Sequence, residues 1–205
     1  MSWRLSTVPA RTADELWVLV SRLLAERKID QRMVDGVIMS SVVPELTSTM
    51  SEMVSHGFNR SVVVVDETKV GIPVLCKTPG EVGADRLVNA VGALDFFGSR
   101  GSPIVVIDFG TATTFDVISK QGEYQGGVIC PGIEISADAL FERAARLPRV
   151  VVEKPSSIIG KTTIESMQSG LFFGYLAMVE GIIMRLAAEY CLYQLKNKPQ
   201  NQFLY

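Results

Sequence analysis

Cysteine is scarce in this sequence, and what there is stays apart. Cys76, Cys130 and Cys191 are odd in number and widely separated, so they offer neither a disulfide framework nor metal-ligand spacing, as expected of a reducing cytoplasm. Charge of one sign is also lacking. Twenty Lys+Arg face 22 Asp+Glu for a net charge of −2, and no basic stripe or patch argues for nucleic acid or an anionic membrane. No apolar run approaches the ~20 residues of a membrane span, and the N-terminus carries no signal-peptide pattern. Histidine occurs once, as His56. It falls at a predicted helix C-terminus beside Gly57, where a cation complements the dipole, and a structural role is preferred to a catalytic base. These absences leave a cytoplasmic protein with a small-molecule partner.

What is present is enough for a proper core. The 205 residues are 47% hydrophobic and 20% charged, which allows one large domain or two small ones. Ser2 to Thr7 alternates like the end of a strand. From Thr12 the period turns helical, with Leu16, Leu19, Val20, Leu23 and Leu24 on one face, and Thr12 with Glu15 forms a capping box. Val34 to Val43 reads as a buried strand. Pro44 opens a second helix with Leu46, Met50, Met53 and Val54 inward, and Val62 to Val65 is a short strand. This αβαβ order favours parallel strands under covering helices. A connector from 67 to 80 leads to a helix over Glu81 to Phe97, whose apolar face is Ala84, Leu87, Val88, Val91 and Leu94. Three strands then form an antiparallel meander, Ile104 to Asp108, Ala112 to Ile118 and Tyr124 to Cys130, turning tightly at residues 120 to 123. Helices follow over Ile133 to Ala145 and Thr163 to Tyr190. Gly170, Gly174 and Gly181 make a stripe on the second, suited to close helix packing across a dimer more than to ligand contact. The segment from Cys191 to Tyr205 reads as a tail.

Two places carry chemistry. Asp85 falls in the first turn of its helix, where the dipole favours the carboxylate, and an ionised Asp can accept the proton of an alcohol attacking phosphorus. Asn89 lies four residues on, and Arg86 beside Asp85 supplies a fork for a carboxylate or phosphate. The bland alternative is an exposed ion pair worth under ~1 kcal/mol. The second place is Asp108-Phe-Gly-Thr-Ala-Thr-Thr after the apolar strand from Ile104. A hydroxyl-rich turn there can offer N–H and Oγ groups to phosphate, Gly110 permits close approach, and Asp108 suits a hard cation. A plain hairpin turn satisfying its own amides is the competing reading. No Walker loop or GxGxxG fingerprint occurs, and Pro131-Gly132 by itself is only a breaker.

With those residues assembled, the sequence resembles the type III pantothenate kinases of bacterial coenzyme A synthesis. The matching runs are EVGADRLVNAV at 81–91, IVVIDFGTATTFDV at 104–117, GGVICPGI at 126–133 and GKTTIESMQSGLFFGY at 160–175. They occur in the family's order, and with the WRLST start the likeness covers about residues 3–187. The resemblance implies an α/β, actin-like (ribonuclease H-like) two-domain fold in a homodimer, and transfer of the γ-phosphate of ATP, with Mg2+, to the primary hydroxyl of pantothenate. It implies that Asp85 is the catalytic base. Gly83, Ala84, Asp85, Arg86 and Thr163 would bind pantothenate, Thr111 with Gly110 would contact ATP, and Asp108 would hold a monovalent cation, K+ or NH4+.

Set against the family pattern, the chain shows departures. The family's opening strand with its D-x-G-N-T phosphate loop does not precede WRLST, and its ATGG-type strand and closing helix do not follow residue 190. Cys76 stands where the family often has a Tyr. The expectation is an incomplete fold divided as 1–75, 76–190 and a tail at 191–205, with weak or no kinase activity. A non-catalytic, dimerising pantothenate-binding remnant and a related kinase for another small alcohol are the alternatives.

Overall fold

The computed structural model describes residues 2–6, 10–98 and 101–196. It is a mixed α/β chain that forms two compact units. The first takes Met1–Val106 and Asp116–Gly127, and the second Ile107–Phe115 and Val128–Tyr205. Ser2 to Ser6 has no regular structure, contrary to the expected strand end, and Thr7 lies outside the described residues.

In the first unit, helix α1 (Ala13–Glu26) starts as its sequence dictates. Glu15 N–H donates to Thr12 Oγ1 at 3.3 Å and Thr12 N–H donates to Glu15 Oε2 at 2.8 Å, closing the capping box. Its buried residues Ala13 and Leu16 pack with Met53 and Val54 of helix α2 (Pro44–Phe58), over Val37 and Val62 of the strands beneath. Trp17 stands edge-on to Phe58 at 5.2 Å. Strands β1 (Val37–Met39) and β2 (Val62–Val64) pair in parallel, Val37 opposite Val62, as the αβαβ order predicts.

The buried strand expected over Val34 to Val43 is shorter and covered on one face only. Asp30 accepts from Arg32 N–H at 2.9 Å and opens a 3-10 turn at Gln31–Met33. At the other end Ser41 Oγ takes the N–H of Val43 at 3.2 Å, and Val43 is the extended residue that Pro44 requires. Between these stops only three residues pair, and Ile38 remains 71% exposed. His56 stands exposed in the last turn of α2.

After β2 the connector adds one more pairing, a parallel bridge of Val74 with Tyr124, with Leu75 N–H donating to Tyr124 C=O at 2.8 Å. Residues on either side of position 75 therefore share one core. A 3-10 turn at Pro79–Glu81 precedes helix α3 (Ala84–Phe97), which starts three residues later than the sequence suggested because Val82 is extended. Leu87 and Ala90 are fully buried with Ile118 and Tyr124. Val88, expected inward, is 41% exposed; one residue turns the helix by about 100°, carrying it off the Ala84–Leu87–Ala90 stripe.

Strands β3 (Ile104–Phe109), β4 (Ala112–Ile118) and β5 (Tyr124–Pro131) lie in that order in one sheet. Links this short force antiparallel neighbours, so the meander is as expected. The turn after β4 closes with Gly122 N–H on Ser119 C=O at 2.9 Å.

In the second unit, helix α4 (Ile133–Arg143) packs on helix α5 (Thr163–Lys196). The loop after α4 is tied back by Arg149, which pairs with Asp138 at 2.8 Å and lies over the Phe141 ring at 4.8 Å. Helix α5 runs past the expected end at Tyr190 to Lys196, and the rest of the expected tail, 197–205, lies outside the described residues. Over Thr163–Tyr190 this helix is long and apolar enough to cross a membrane by length and composition, with a mean hydropathy of 1.6, and only 6% of that window is buried. The expectation that no segment reaches this length is corrected. Single polar residues such as Glu180 interrupt the run without stopping the helix. No atom comes within 4 Å of a Cβ built at Gly170, Gly174 or Gly181, so no packed neighbour uses the glycine stripe among the described residues.

Candidate active site

Gly83 is the N-cap of α3 and its carbonyl accepts from Arg86 N–H at 3.1 Å and Leu87 N–H at 3.3 Å. Ala84, the first helical residue, is buried and seats the helix end. Asp85 follows, exposed, with its Oδ1 taking the N–H of Arg86 at 2.8 Å. Its carboxylate thus lies over the positive end of the helix, available from solvent.

Arg86 turns the other way. Its Nε donates to Asp116 Oδ1 at 2.7 Å and its Nη2 reaches the same oxygen at 2.6 Å. Asp116 is fully buried, and Tyr124, equally buried, donates its hydroxyl to that Oδ1 at 2.6 Å. The guanidinium carbon is 5.9 Å from the Tyr124 ring centre. Burial first, then the Asp116 carboxylate, pushes the Tyr124 phenol well above its ordinary pKa. The exposed Asp85–Arg86 pair considered from the sequence is replaced by a different pairing. Arg86 is anchored thirty residues away in sequence, and Asp85 is left for other work. Cys76 packs among the apolar residues around Leu87 and Tyr124.

In the second unit the expected hydroxyl-rich turn shrinks to two residues. Asp108 and Phe109 still belong to β3 and Ala112 begins β4, which leaves Gly110-Thr111 as a hairpin loop closed by Gly110 N–H on Ala112 C=O at 3.1 Å. Thr113 is buried in β4 and its hydroxyl bonds the Tyr175 hydroxyl of α5, so it is withdrawn from any phosphate. Burial, then the nearby Cys130, raises the Tyr175 pKa. Asp108, Gly110 and Thr111 are exposed. Gly132 holds this loop, its N–H donating to Thr111 C=O at 3.0 Å. A Cβ there would fall 2.4 Å from both the Gly110 and Thr111 carbonyl oxygens, so only glycine permits the approach.

Thr163 is the first residue of α5, exposed behind a second capping box. Glu165 Oε2 accepts from Lys161 N–H at 2.6 Å and Thr162 N–H at 3.1 Å, while Glu165 N–H donates to Thr162 Oγ1 at 3.2 Å. The structure does not set Thr163 beside the Thr113–Tyr175 contact, since Tyr175 lies about 18 Å further along the helix axis. A concavity of about 480 Å³ beside this end is lined by Lys154, Ser157, Lys161, Glu165 and Gln168, and not by Thr163. Gly83, Ala84, Asp85 and Arg86 thus share the first unit, and Asp108, Gly110, Thr111 and Thr163 the second.

The donors around the hairpin are carboxylate, hydroxyl and carbonyl oxygens, the set a hard cation takes. No group of three or more His, Cys, Asp or Glu suited to a metal occurs among the described residues. A single carboxylate of this kind suits a cation whose other ligands come from phosphates and water.

These motifs have counterparts elsewhere. A family model described as Type III pantothenate kinase matches residues 1–185. The chain belongs to the type III pantothenate kinase family. Type III pantothenate kinases from Koribacter versatilis (strain Ellin345) and Myxococcus xanthus (strain DK1622) are each 48% identical to it over 188 residues. Those alignments cover 91% of this chain and 68% and 72% of the respective relatives. The type III pantothenate kinase of Moorella thermoacetica is 45% identical over the same length, covering 91% of this chain and 73% of its own.

Within this pantothenate kinase family member, the sequence reading missed Asp116, Tyr124, Gly132 and Tyr175. Asp116 did leave a signal: an acidic residue between Phe115 and Val117 in an apolar strand requires a buried cationic partner. Gly132 left none that separates it from an ordinary turn glycine.

Proposed function

We propose that this chain transfers the γ-phosphoryl group of ATP to the primary hydroxyl of pantothenate, the entry reaction of coenzyme A synthesis. The observation that carries it is a helix start that presents an exposed carboxylate, Asp85, while the guanidinium of the following residue, Arg86, turns away from it and is fixed by a buried carboxylate, in a chain of this family. Arg86 would grip the pantothenate carboxylate, with the amides at Gly83 and Ala84 beside it, and likeness to the family makes Thr163 a further pantothenate-binding residue. Asp85 would take the hydroxyl proton as the new O–P bond forms and the bond to the ADP oxygen breaks.

On the nucleotide side, Gly110 and Thr111 would offer N–H and Oγ groups to phosphate oxygens, and Asp108 would hold a monovalent cation, K+ or NH4+. Mg2+ arriving with ATP would neutralise charge on the transferring group. The fold these parts fit is the actin-like, ribonuclease H-like pair of domains. The largely uncovered apolar length of α5 supports a homodimer, because an exposed patch of that size is normally buried against a partner, and the cytoplasm is where both substrates occur.

The deciding experiment is Asp85→Asn in the enzyme. Phosphopantothenate formation is expected to fall about 10²- to 10⁴-fold, the range for a lost general base, while calorimetric pantothenate binding persists. Unchanged turnover in the variant would remove Asp85 from the reaction.

A further inference from the structure

We propose that Asp116 and Tyr124 are positioning residues for the acceptor: together they set the direction and the charge with which Arg86 meets the substrate carboxylate. The inference rests on the reading above, that Arg86 binds that carboxylate.

The geometry argues for a device with two functions. Three donors converge on one oxygen, Asp116 Oδ1: Arg86 Nε at 2.7 Å, Arg86 Nη2 at 2.6 Å and Tyr124 Oη at 2.6 Å. The first two hold the Nε–Nη2 edge of the planar fork, so the guanidinium cannot rotate freely. An arginine so held loses less freedom when it engages a carboxylate than one free in solvent.

The third donor solves a problem the first two create. A buried carboxylate paired with Arg86 alone would cancel the charge that a substrate carboxylate needs. The Tyr124 hydroxyl draws part of the Asp116 charge onto itself. A tyrosine hydroxyl keeps its proton at neutral pH, and burial, then Asp116, moves its ionisation further up. Its ring, 5.9 Å from the guanidinium carbon, adds a favourable face for the cation. Asp116 and Tyr124 are both fully buried, and each reaches the acceptor through Arg86 in this proposal.

The test compares Tyr124→Phe, Asp116→Asn and Arg86→Gln in steady-state assays with two acceptors. One is pantothenate; the other is the analogue in which the carboxylate is replaced by a primary alcohol. Tyr124→Phe keeps the ring and is expected to raise KM for pantothenate about tenfold, the effect of losing one hydrogen bond to a charged group. Its kcat should stay within about twofold, and KM for the alcohol analogue should not move. Asp116→Asn should shift pantothenate KM further in the same direction; if that variant does not fold, Tyr124→Phe decides alone. The proposal is overturned if Arg86→Gln raises pantothenate KM while Tyr124→Phe does not, or if Tyr124→Phe raises KM for both acceptors alike. If Arg86→Gln itself leaves pantothenate KM unchanged, the reading of Arg86 fails first and the positioning role falls with it.

Discussion

The start of α3 and the β3–β4 hairpin are built on opposite principles. At α3, function is assigned to side chains, and their placement depends on a buried charge network: Asp116 and Tyr124 are sealed from solvent, and Arg86 is nearly so. At the hairpin Asp108 and Thr111 are exposed, and the loop depends on a missing side chain, the Cβ that Gly132 does not have. The contrast teaches where each region is vulnerable. The first fails when a charge loses its partner, the second when a few atoms are added.

The largest expected effect probes the charge network. Asp116→Ala leaves Arg86 uncompensated in a nearly closed site and should cost about 3–5 kcal/mol of stability, measured by urea denaturation. A cost below ~1 kcal/mol would mean that the network is not what holds α3, and the contrast would collapse. Gly132→Ala comes next. Its Cβ must push the Gly110–Thr111 loop away, at a cost of about 1–3 kcal/mol, and KM for ATP should rise while calorimetric pantothenate binding holds. Equal damage to both substrates would break the separation between the regions.

The pH response sharpens the same comparison. Tyr124 has a folded pKa raised above its ordinary value of 10.0. Its contribution is therefore fully present below pH 10 and is lost as pH climbs above it, because the unfolded tyrosine ionises first. The slope from this group is at most ~1.4 kcal/mol per pH unit, and Tyr124→Phe should remove it from thermal melts taken across pH 9–11. The smallest effect serves as a control outside both regions. Thr12→Ala opens the α1 capping box and should cost about 1 kcal/mol, with pantothenate and ATP kinetics unchanged.

Much of this molecule was legible because the signals are local. Thr12 and Glu15 lie three apart and cap their own helix, Pro44 sits where α2 begins, and Asp85 falls in a first turn whatever packs around it. The short links of the meander leave its strands no choice but to alternate. The errors arose where a neighbour decided the outcome. Val34 to Val43 reads as one apolar strand, but hydrogen bonds from Asp30 and Ser41 leave Val37–Met39 to pair. The threonines after Gly110 read as a single phosphate-facing set, but pleating turns Thr113 inward to Tyr175. Asp85 with Arg86 reads as a neighbouring pair, and only the fold reveals that the arginine belongs to Asp116.

By itself, the sequence determined the family, the order and type of most elements, and the position of Asp85 at a helix start, because each follows from residues within a turn or two of one another. The tertiary structure decided which charges are paired, which hydroxyls are free and which glycine is indispensable. Those outcomes depend on burial and on contacts between residues tens of positions apart, where the cost of an unpaired charge or a 2.4 Å overlap selects one arrangement among many that the sequence alone would allow.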